Sequence, residues 1–415
     1  MTMTVSAYRG KNPFEDPLDR ILAEIAFSVQ LPPSLHAKAC QRYKAVREYL
    51  EDTTAFQDQI EHFYAQGSMA IDATISTRGT DDEYDIDIVA QLGGRYRHMT
   101  PLVILQALAA ALRDYPVQKV VRQSRCVTLF YADNMHLDVT PALRDYGTTD
   151  RQSEITHAKG PLPSNDDSMV PMNAYGHAEW YRARTPNEDR VIEAFKDRWF
   201  GDHRTSIRAD AEVDEVPDQT QFVVKNMATV ALQLLKRYRN VRYANHSGRI
   251  PPSVMLSYFA GAAALPDMKL SDILVRICRW IIGEIERASI NRQKLHVVNP
   301  TYSADVFTDR WPENLDQQNQ FARYLHDLVA GIERAKRGEL DPVRLRDWLR
   351  EMFGDRVVTR AADRMADATG AAIIAGSQVY SKKGSILLPA TATIVTSAAP
   401  VAAKPHTFFG DPVDE

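Results

Sequence analysis

Apolar residues recur at helical spacing at Leu18, Ile21, Leu22, Ile25 and Val29, so residues 17–31 are expected to form a helix. A second helix is expected to follow Pro32-Pro33, running from about Ser34 to Glu51 with Tyr43, Val46 and Leu50 inward. The period then changes to two. Between Tyr84 and Leu92 the apolar Tyr84, Ile86 and Ile88 face one way and Asp85 and Asp87 the other, as a half-buried strand requires. Gly93-Gly94 breaks that run, and a Leu- and Ala-rich helix is expected from Pro101 through Tyr115, ended by Pro116.

Residues 117–124, 126–132 and 135–140 read as consecutive strands, the last two separated by the Asp133-Asn134 turn. Strands interrupted by a helix and resumed imply a mixed sheet with segregated helices, an α+β fold. The pattern fails over residues 144–185, where Gly160-Pro161, Pro163-Ser164-Asn165 and Pro171 suggest a long irregular loop. Such a loop either serves function or wraps the surface. Helical character returns at 187–200, and a polar acidic connection at 210–221 leads to five expected helices at 222–243, 252–264, 271–288, 314–337 and 342–353. The resulting plan is a bilobed chain: a core with N-terminal helices at 1–205, a helical lobe at 206–355 and a flexible tail at 356–415 rich in Ala, Thr, Ser and Pro. No internal repeat is present at a solenoid period.

Composition narrows the function classes. The 415 residues include 44% hydrophobic and 25% charged positions, enough for a substantial core. With a net charge of −4 and an isoelectric point near 6.3, the chain has no global basic excess of the kind nucleic acid attracts. Cys40, Cys126 and Cys278 are scattered, without the close pairs of a zinc site or disulfide framework, which fits a reducing cytoplasm. No apolar run reaches the roughly 18 to 20 residues of a membrane span, and the N-terminus lacks the apolar segment of a signal peptide.

The candidate chemistry begins with Asp85 and Asp87 on one face of one strand. Two close carboxylates repel unless a cation holds them, and hard oxygen donors suit Mg²⁺. Acids two apart are common in themselves, since Glu83/Asp85 and Asp210/Glu212 have the same spacing. Their company is more specific. Upstream, Gly67-Ser68 follows an apolar run and offers a close backbone approach, an N–H and a hydroxyl to a phosphate. Downstream, Asp138 sits alone in the apolar run His136-Leu137-Asp138-Val139, where an unpaired carboxylate would be costly. This constellation resembles the nucleotidyltransferases related to DNA polymerase beta. The resemblance implies that Asp85, Asp87 and Asp138 hold two Mg²⁺ ions, and that Gly67 and Ser68 hold the donor triphosphate. Two metals roughly 3.5–4 Å apart suit in-line phosphoryl transfer.

In the helical half, residues 230–240 form an amphipathic helix with Val230, Leu234 and Leu235 inward and Lys236, Arg237 and Arg239 as a basic cluster, either a solvated face or a triphosphate partner. The motifs QGS at 66–68, YDIDIV at 84–89, LDVTPA at 137–142, QLLKRYRN at 233–240, PPSVMLSYFA at 251–260 and VVNPTYSADVFTDRW at 297–311 together resemble the bacterial cGAS/DncV-like nucleotidyltransferases. That resemblance implies that Lys236 contacts donor phosphates and Ser253 lies by the nucleotide. It also implies an enzyme that condenses ATP and GTP into a cyclic oligonucleotide second messenger for antiphage defence of the CBASS type, read by a downstream effector.

The chain departs from its animal relatives in having no His-and-Cys cluster for a zinc thumb, and in having Val254 where an aromatic residue would stack a base. A smooth wall at Val254, with the 144–185 loop lining the pockets, suggests a cyclic dipurine made from ATP alone or ATP with GTP. His406, Phe408, Phe409 and Gly410 suggest a docking segment for a partner protein in the tail. A template-independent enzyme extending RNA 3′ ends and a catalytically inactive nucleotide-binding scaffold are the alternatives. The first asks for a basic groove, the second for a damaged triad.

Overall fold

The structure is a computed structural model that describes residues 13–14, 16–76, 83–145, 147–148, 151–193 and 226–374, with short strands at 379–380, 386–387 and 401–402. Helix α1 (Pro17–Val29) starts where the Asp16 side chain accepts from the Leu18 N–H at 3.0 Å, with Pro17 in the first turn. Helix α2 (Pro33–Glu51), strand β1 (Ile60–Ala65), the single turn α3 (Gly67–Ala70), strand β2 (Tyr84–Leu92) and helix α4 (Pro101–Ala111) follow. Then come β3 (Lys119–Arg122), β4 (Val127–Phe130), β5 (Met135–Arg144), β6 (Ser153–His157), β7 (Ser168–Met172) and α5 (Ala174–Arg184). The second half contains α6 (Met227–Arg242), α7 (Ser253–Ala263), α8 (Leu270–Ile290), the hairpin β8 (Val298–Asn299) and β9 (Tyr302–Val306), and then α9 (Leu315–Lys336), α10 (Pro342–Phe353) and α11 (Asp355–Ile374).

The sheet runs β1-β2-β5-β4-β3, with β6 added to β5 and β7 to β6. Strands β2 and β5 are parallel and the other pairs antiparallel, so the sheet is mixed and the fold α+β, as the pattern implied. Its inward residues, among them Ile86, Ile88, Leu129, Leu137 and Val139, pack with Val46 and Leu50 of α2 and Leu108 of α4. A second core gathers Leu232 and Leu234 of α6, Ile277 and Ile281 of α8, and Phe321 of α9. Leu22 and Ile25 of α1 join this second core, although α1 precedes the sheet in the chain and had been grouped with it. Ala70, Ile71, Ala73 and Ile75 also belong there, so the segment after Gly67-Ser68 crosses from the sheet to the helices. Among the described residues no helix is long and apolar enough to cross a membrane.

Two expectations need correction. Residues 144–185 are not one irregular loop, because β6, β7 and α5 form within them. Pro171 had argued against a strand, but β7 pairs only with β6 and is therefore an edge strand, where a missing N–H is tolerated. The tail does not begin at 356 either. Helix α11 buries Val357, Val358 and Ala361 and packs against α1, with Arg364 Nε 3.6 Å from the buried carboxylate of Glu24. Alanine-rich composition had masked its period. The 205/206 boundary, the 210–221 connection, residues 194–200 of the expected helix and the 406–410 segment lie outside the described residues.

The α1–α11 contact gives the first test. Val358→Asp places a carboxylate in a site that is 1% exposed and is expected to cost about 3 kcal/mol or more, read as a lower urea midpoint. An unchanged midpoint would show that α11 adds nothing to the second core.

Candidate active site

The parallel register of β2 and β5 sets Asp87 directly beside Asp138, and Asp85 beside His136. On the far side of β5, antiparallel β4 brings Thr128 opposite Asp138, and the Thr128 hydroxyl donates to Asp138 Oδ1 at 2.5 Å. His136 Nδ1 lies 3.2 Å from Asp85 Oδ1. Burial raises the Asp87 carboxyl to about 7, helped by the charges of Asp138 and Asp85 and opposed by Lys236. Asp138 is also raised, chiefly by burial, with the Thr128 bond acting the other way. The alternating strand pattern has thus concentrated negative charge where water cannot fully screen it.

The turn after β1 completes this floor. Gln66 N–H donates to Asp87 O at 2.9 Å, and Gly67 then takes φ +59°. A Cβ at Gly67 would lie 2.7 Å from Asp87 Oδ2, so both the backbone conformation and the close approach demand glycine. Ser68 Oγ accepts from the Thr74 hydroxyl at 3.3 Å, and its carbonyl accepts from Ala73 N–H at 2.9 Å. Side chains from the helices hold the segment beyond it. Arg182 Nη2 donates to Ala70 O at 2.6 Å, Gln233 Nε2 to Asp72 O at 3.4 Å, and Lys236 Nζ to Ala73 O at 2.8 Å.

The basic cluster on α6 is not a solvated face. Lys236, Arg237 and Arg239 are each buried, and they divide the work. Lys236 is lowered to about 7 by burial and by Arg239, with Asp87 and Asp85 pulling it back up. Arg239 Nη1 donates to Pro251 O at 2.7 Å and to Ser253 Oγ at 3.0 Å, fixing the start of α7. Arg237 turns away, its Nε donating to Phe353 O at 2.7 Å. Periodicity could group these residues but could not show which of them faces the acids.

Gly67, Ser68, Asp85, Asp87, Asp138, Lys236 and Ser253 all line one cavity of about 1010 Å³ between the sheet and the helices. Val254 lines it too, yet the wall is not the smooth one expected, because Arg125, Arg249, Arg310, Asp305, Asp309 and His177 share it. These residues were not singled out from the sequence. Asp309 and Arg310 lie inside the 297–311 motif, which contributed only to the family resemblance, and Arg125 is an isolated charge beside a strand. Of the expected 144–185 lining, Met172, Ala174, His177 and Ala178 contribute.

The donor set fits a hard divalent cation: three carboxylates on adjacent strands, oxygen donors only, with Asp87 and Asp138 raised first by burial and then by neighbouring carboxylate charge. It is not a closed cage. Among the described residues no three His, Cys, Asp or Glu side chains converge on one point, Asp85 and Asp138 being engaged by His136 and Thr128 instead.

The family model described as the Second Messenger Oligonucleotide or Dinucleotide Synthetase domain matches residues 18–159. The cyclic dinucleotide synthase CdnG of Bradyrhizobium diazoefficiens is 48% identical over 407 residues, 97% of each chain. A c-di-GMP synthase of Roseivirga ehrenbergii is 23% identical over 403 residues, 95% of this chain and 97% of that one. Among solved structures, the B. diazoefficiens CD-NTase CdnG in complex with GTP matches with a TM-score of 0.74 at 48% identity, covering 85% of this chain and 99% of the other. The E. coli MS115-1 CdnC in complex with HORMA-deltaN matches at 0.55 with 14% identity over 81% and 96%, a likeness of fold alone.

The crowding of the acids separates a working site from a structural one. Asp87→Asn removes a repelled charge, so it is expected to raise the metal-free melting temperature by about 2 °C or more while abolishing turnover. A stability loss with activity retained would contradict this geometry's reading.

Proposed function

The chain belongs to the CD-NTase family of bacterial cyclic dinucleotide synthases, and from that premise we propose that it joins guanosine triphosphates into a cyclic dinucleotide with release of pyrophosphate. The observation that carries this reading is the meeting of a glycine-serine turn, three strand-borne carboxylates and a buried lysine of the second lobe on one cavity. In the reaction, the ribose hydroxyl oxygen of one nucleotide bonds to the α-phosphorus of another. The bond from that phosphorus to the bridging oxygen breaks, and pyrophosphate leaves. A second transfer of the same kind closes the ring.

Each residue has a task in this scheme. Gly67 and Ser68 cradle the donor triphosphate, and Lys236, whose Nζ donates to Ala73 O just beyond that turn, adds positive charge to it. Ser253, held by Arg239, borders the nucleotide. Asp138, steadied by Thr128, stands nearest the attacking hydroxyl and takes its proton. Asp85, Asp87 and Asp138 would hold divalent cations, which we take to be two Mg²⁺, to neutralise charge on the transferring phosphoryl group.

The GTP bound by the 48% identical relative and the name of the c-di-GMP synthase favour guanine. A ring made from GTP alone is therefore the proposed product, and the expectation of ATP alone or ATP with GTP is the alternative that nucleotide omission decides. In a bacterial cytoplasm such a product would act as an antiphage second messenger through a separate effector, with the 406–410 segment as a docking point for a partner protein.

Incubating the full chain with Mg²⁺ and single or paired nucleoside triphosphates, then with phosphatase, tests the reading. GTP alone is expected to yield a phosphatase-resistant dinucleotide, lost on chelation. Long ladders would indicate an RNA-extending enzyme, no turnover a scaffold, and product only with ATP present a different base code.

A further inference from the structure

A second polar feature of the cavity is left without a task by the transfer chemistry. Arg125, from the sheet lobe, and Asp309, from the turn between β9 and α9, both line the cavity and form an ion pair across 184 positions of sequence, Arg125 Nη2 to Asp309 Oδ2 at 2.5 Å. The Asp309 turn is held from several sides. Asp309 N–H donates to Val306 O at 3.2 Å and Phe307 N–H to Val297 O at 2.8 Å. Arg249 Nη1 donates to Arg310 O at 3.0 Å, and Trp311 is buried edge-on to Phe321 with ring centres 5.8 Å apart. Arg125 is steadied from the other side, its Nε donating to His157 Nδ1 at 3.2 Å. A pair so fixed is preorganised for a ligand rather than free to collapse.

Both groups keep capacity for a ligand. A carboxylate has about four lone-pair sites and a guanidinium five N–H donors, of which the contacts above use one and two. Arg125 also stands in the turn between β3 and β4, three residues ahead of Thr128, and lines the same cavity as Asp138. Thr128 in turn holds Asp138, assigned to the attacking hydroxyl. A nucleoside whose ribose hydroxyl lies at Asp138 can therefore direct its base toward Arg125 and Asp309.

Resting on the synthase reading above, we propose that Arg125 and Asp309 together read guanine on the acceptor nucleotide. Asp309 accepts from the N1–H and the 2-amino group, and Arg125 donates to O6 and N7. Arginine on guanine O6 and N7 is a recurrent pairing because the two hydrogen-bonding patterns match. Adenine reverses the pattern: its N1 lone pair would face the carboxylate and its 6-amino group the guanidinium. The same pair thus favours one purine and repels the other. Committed polar groups discriminate against a mismatched partner more strongly than an apolar wall does, because they are left unpaired by it. The competing account is that Arg125–Asp309 is only a bridge between lobes, a partly exposed ion pair of modest worth.

Inosine triphosphate, which lacks the 2-amino group, separates the two accounts. Initial rates with GTP, ITP and ATP are measured for the full chain, Asp309→Asn and Asp309→Glu, with melting curves to confirm folding. The wild type is expected to prefer GTP over ITP by about tenfold or more in kcat/KM. Asp309→Asn should lose about 30-fold with GTP but less than about threefold with ITP, so that the preference collapses. Asp309→Glu, which keeps the carboxylate, should recover part of it. An equal proportional loss with all three nucleotides, or an unchanged GTP-to-ITP ratio in Asp309→Asn, overturns the assignment and leaves the synthase reading standing. A wild type that turns over no nucleotide overturns both.

Discussion

Strands β2 and β5 run parallel, and that pairing holds Asp87 and Asp138 side by side with Asp85 one pleat away, a concentration of like charge that the sheet alone cannot relieve. Burial and mutual repulsion push Asp87 to about 7, far above an ordinary carboxylate. An arrangement of this kind is retained at a cost in stability, and such conflicts between local chemistry and folding mark functional sites. The countercharge comes from elsewhere in the chain: Lys236 on α6 opposes the shift, and its own ammonium is held down by burial.

This dependence couples the two cores. The segment after Gly67-Ser68 leaves the sheet, buries Ile71, Ala73 and Ile75 among the helices, and presents carbonyls that Arg182, Gln233 and Lys236 hold. Gln233 is itself tied to Gln30 at the end of α1 by a 2.8 Å bond. The position of the Gly67-Ser68 turn is therefore set by α1, α5 and α6 as much as by the strand that precedes it. This explains why an N-terminal helix that precedes the sheet packs with the C-terminal half. The helices and the turn form one continuous wall of the cavity.

Much of this was legible in the sequence where a period carried it. The alternation of 84–92 exposed Asp85 and Asp87, and the apolar neighbours of Asp138 made it conspicuous. Helix spacing located the end of α6 to within one residue. What escaped was what no period encodes. Edge strand β7 tolerates Pro171 only because of its place in the sheet, which is a tertiary fact. The division of labour among Lys236, Arg237 and Arg239 depends on what packs against each side of α6. Arg125 and Asp309 are 184 positions apart, and only the tertiary fold makes them a pair. The sequence-level view of Val254 as a smooth wall failed for the same reason: it counted one lining residue and could not see the others.

The central claim is that the three strand-borne acids form one cation-dependent nucleotide site. Manganese binding, followed by electron paramagnetic resonance in the presence of a non-hydrolysable GTP analogue, tests it without relying on turnover. Two bound ions per wild-type chain are expected, with binding lost in Asp85→Ala and Asp138→Ala while both variants remain folded. Equal manganese binding by the wild type and the two variants would contradict the account.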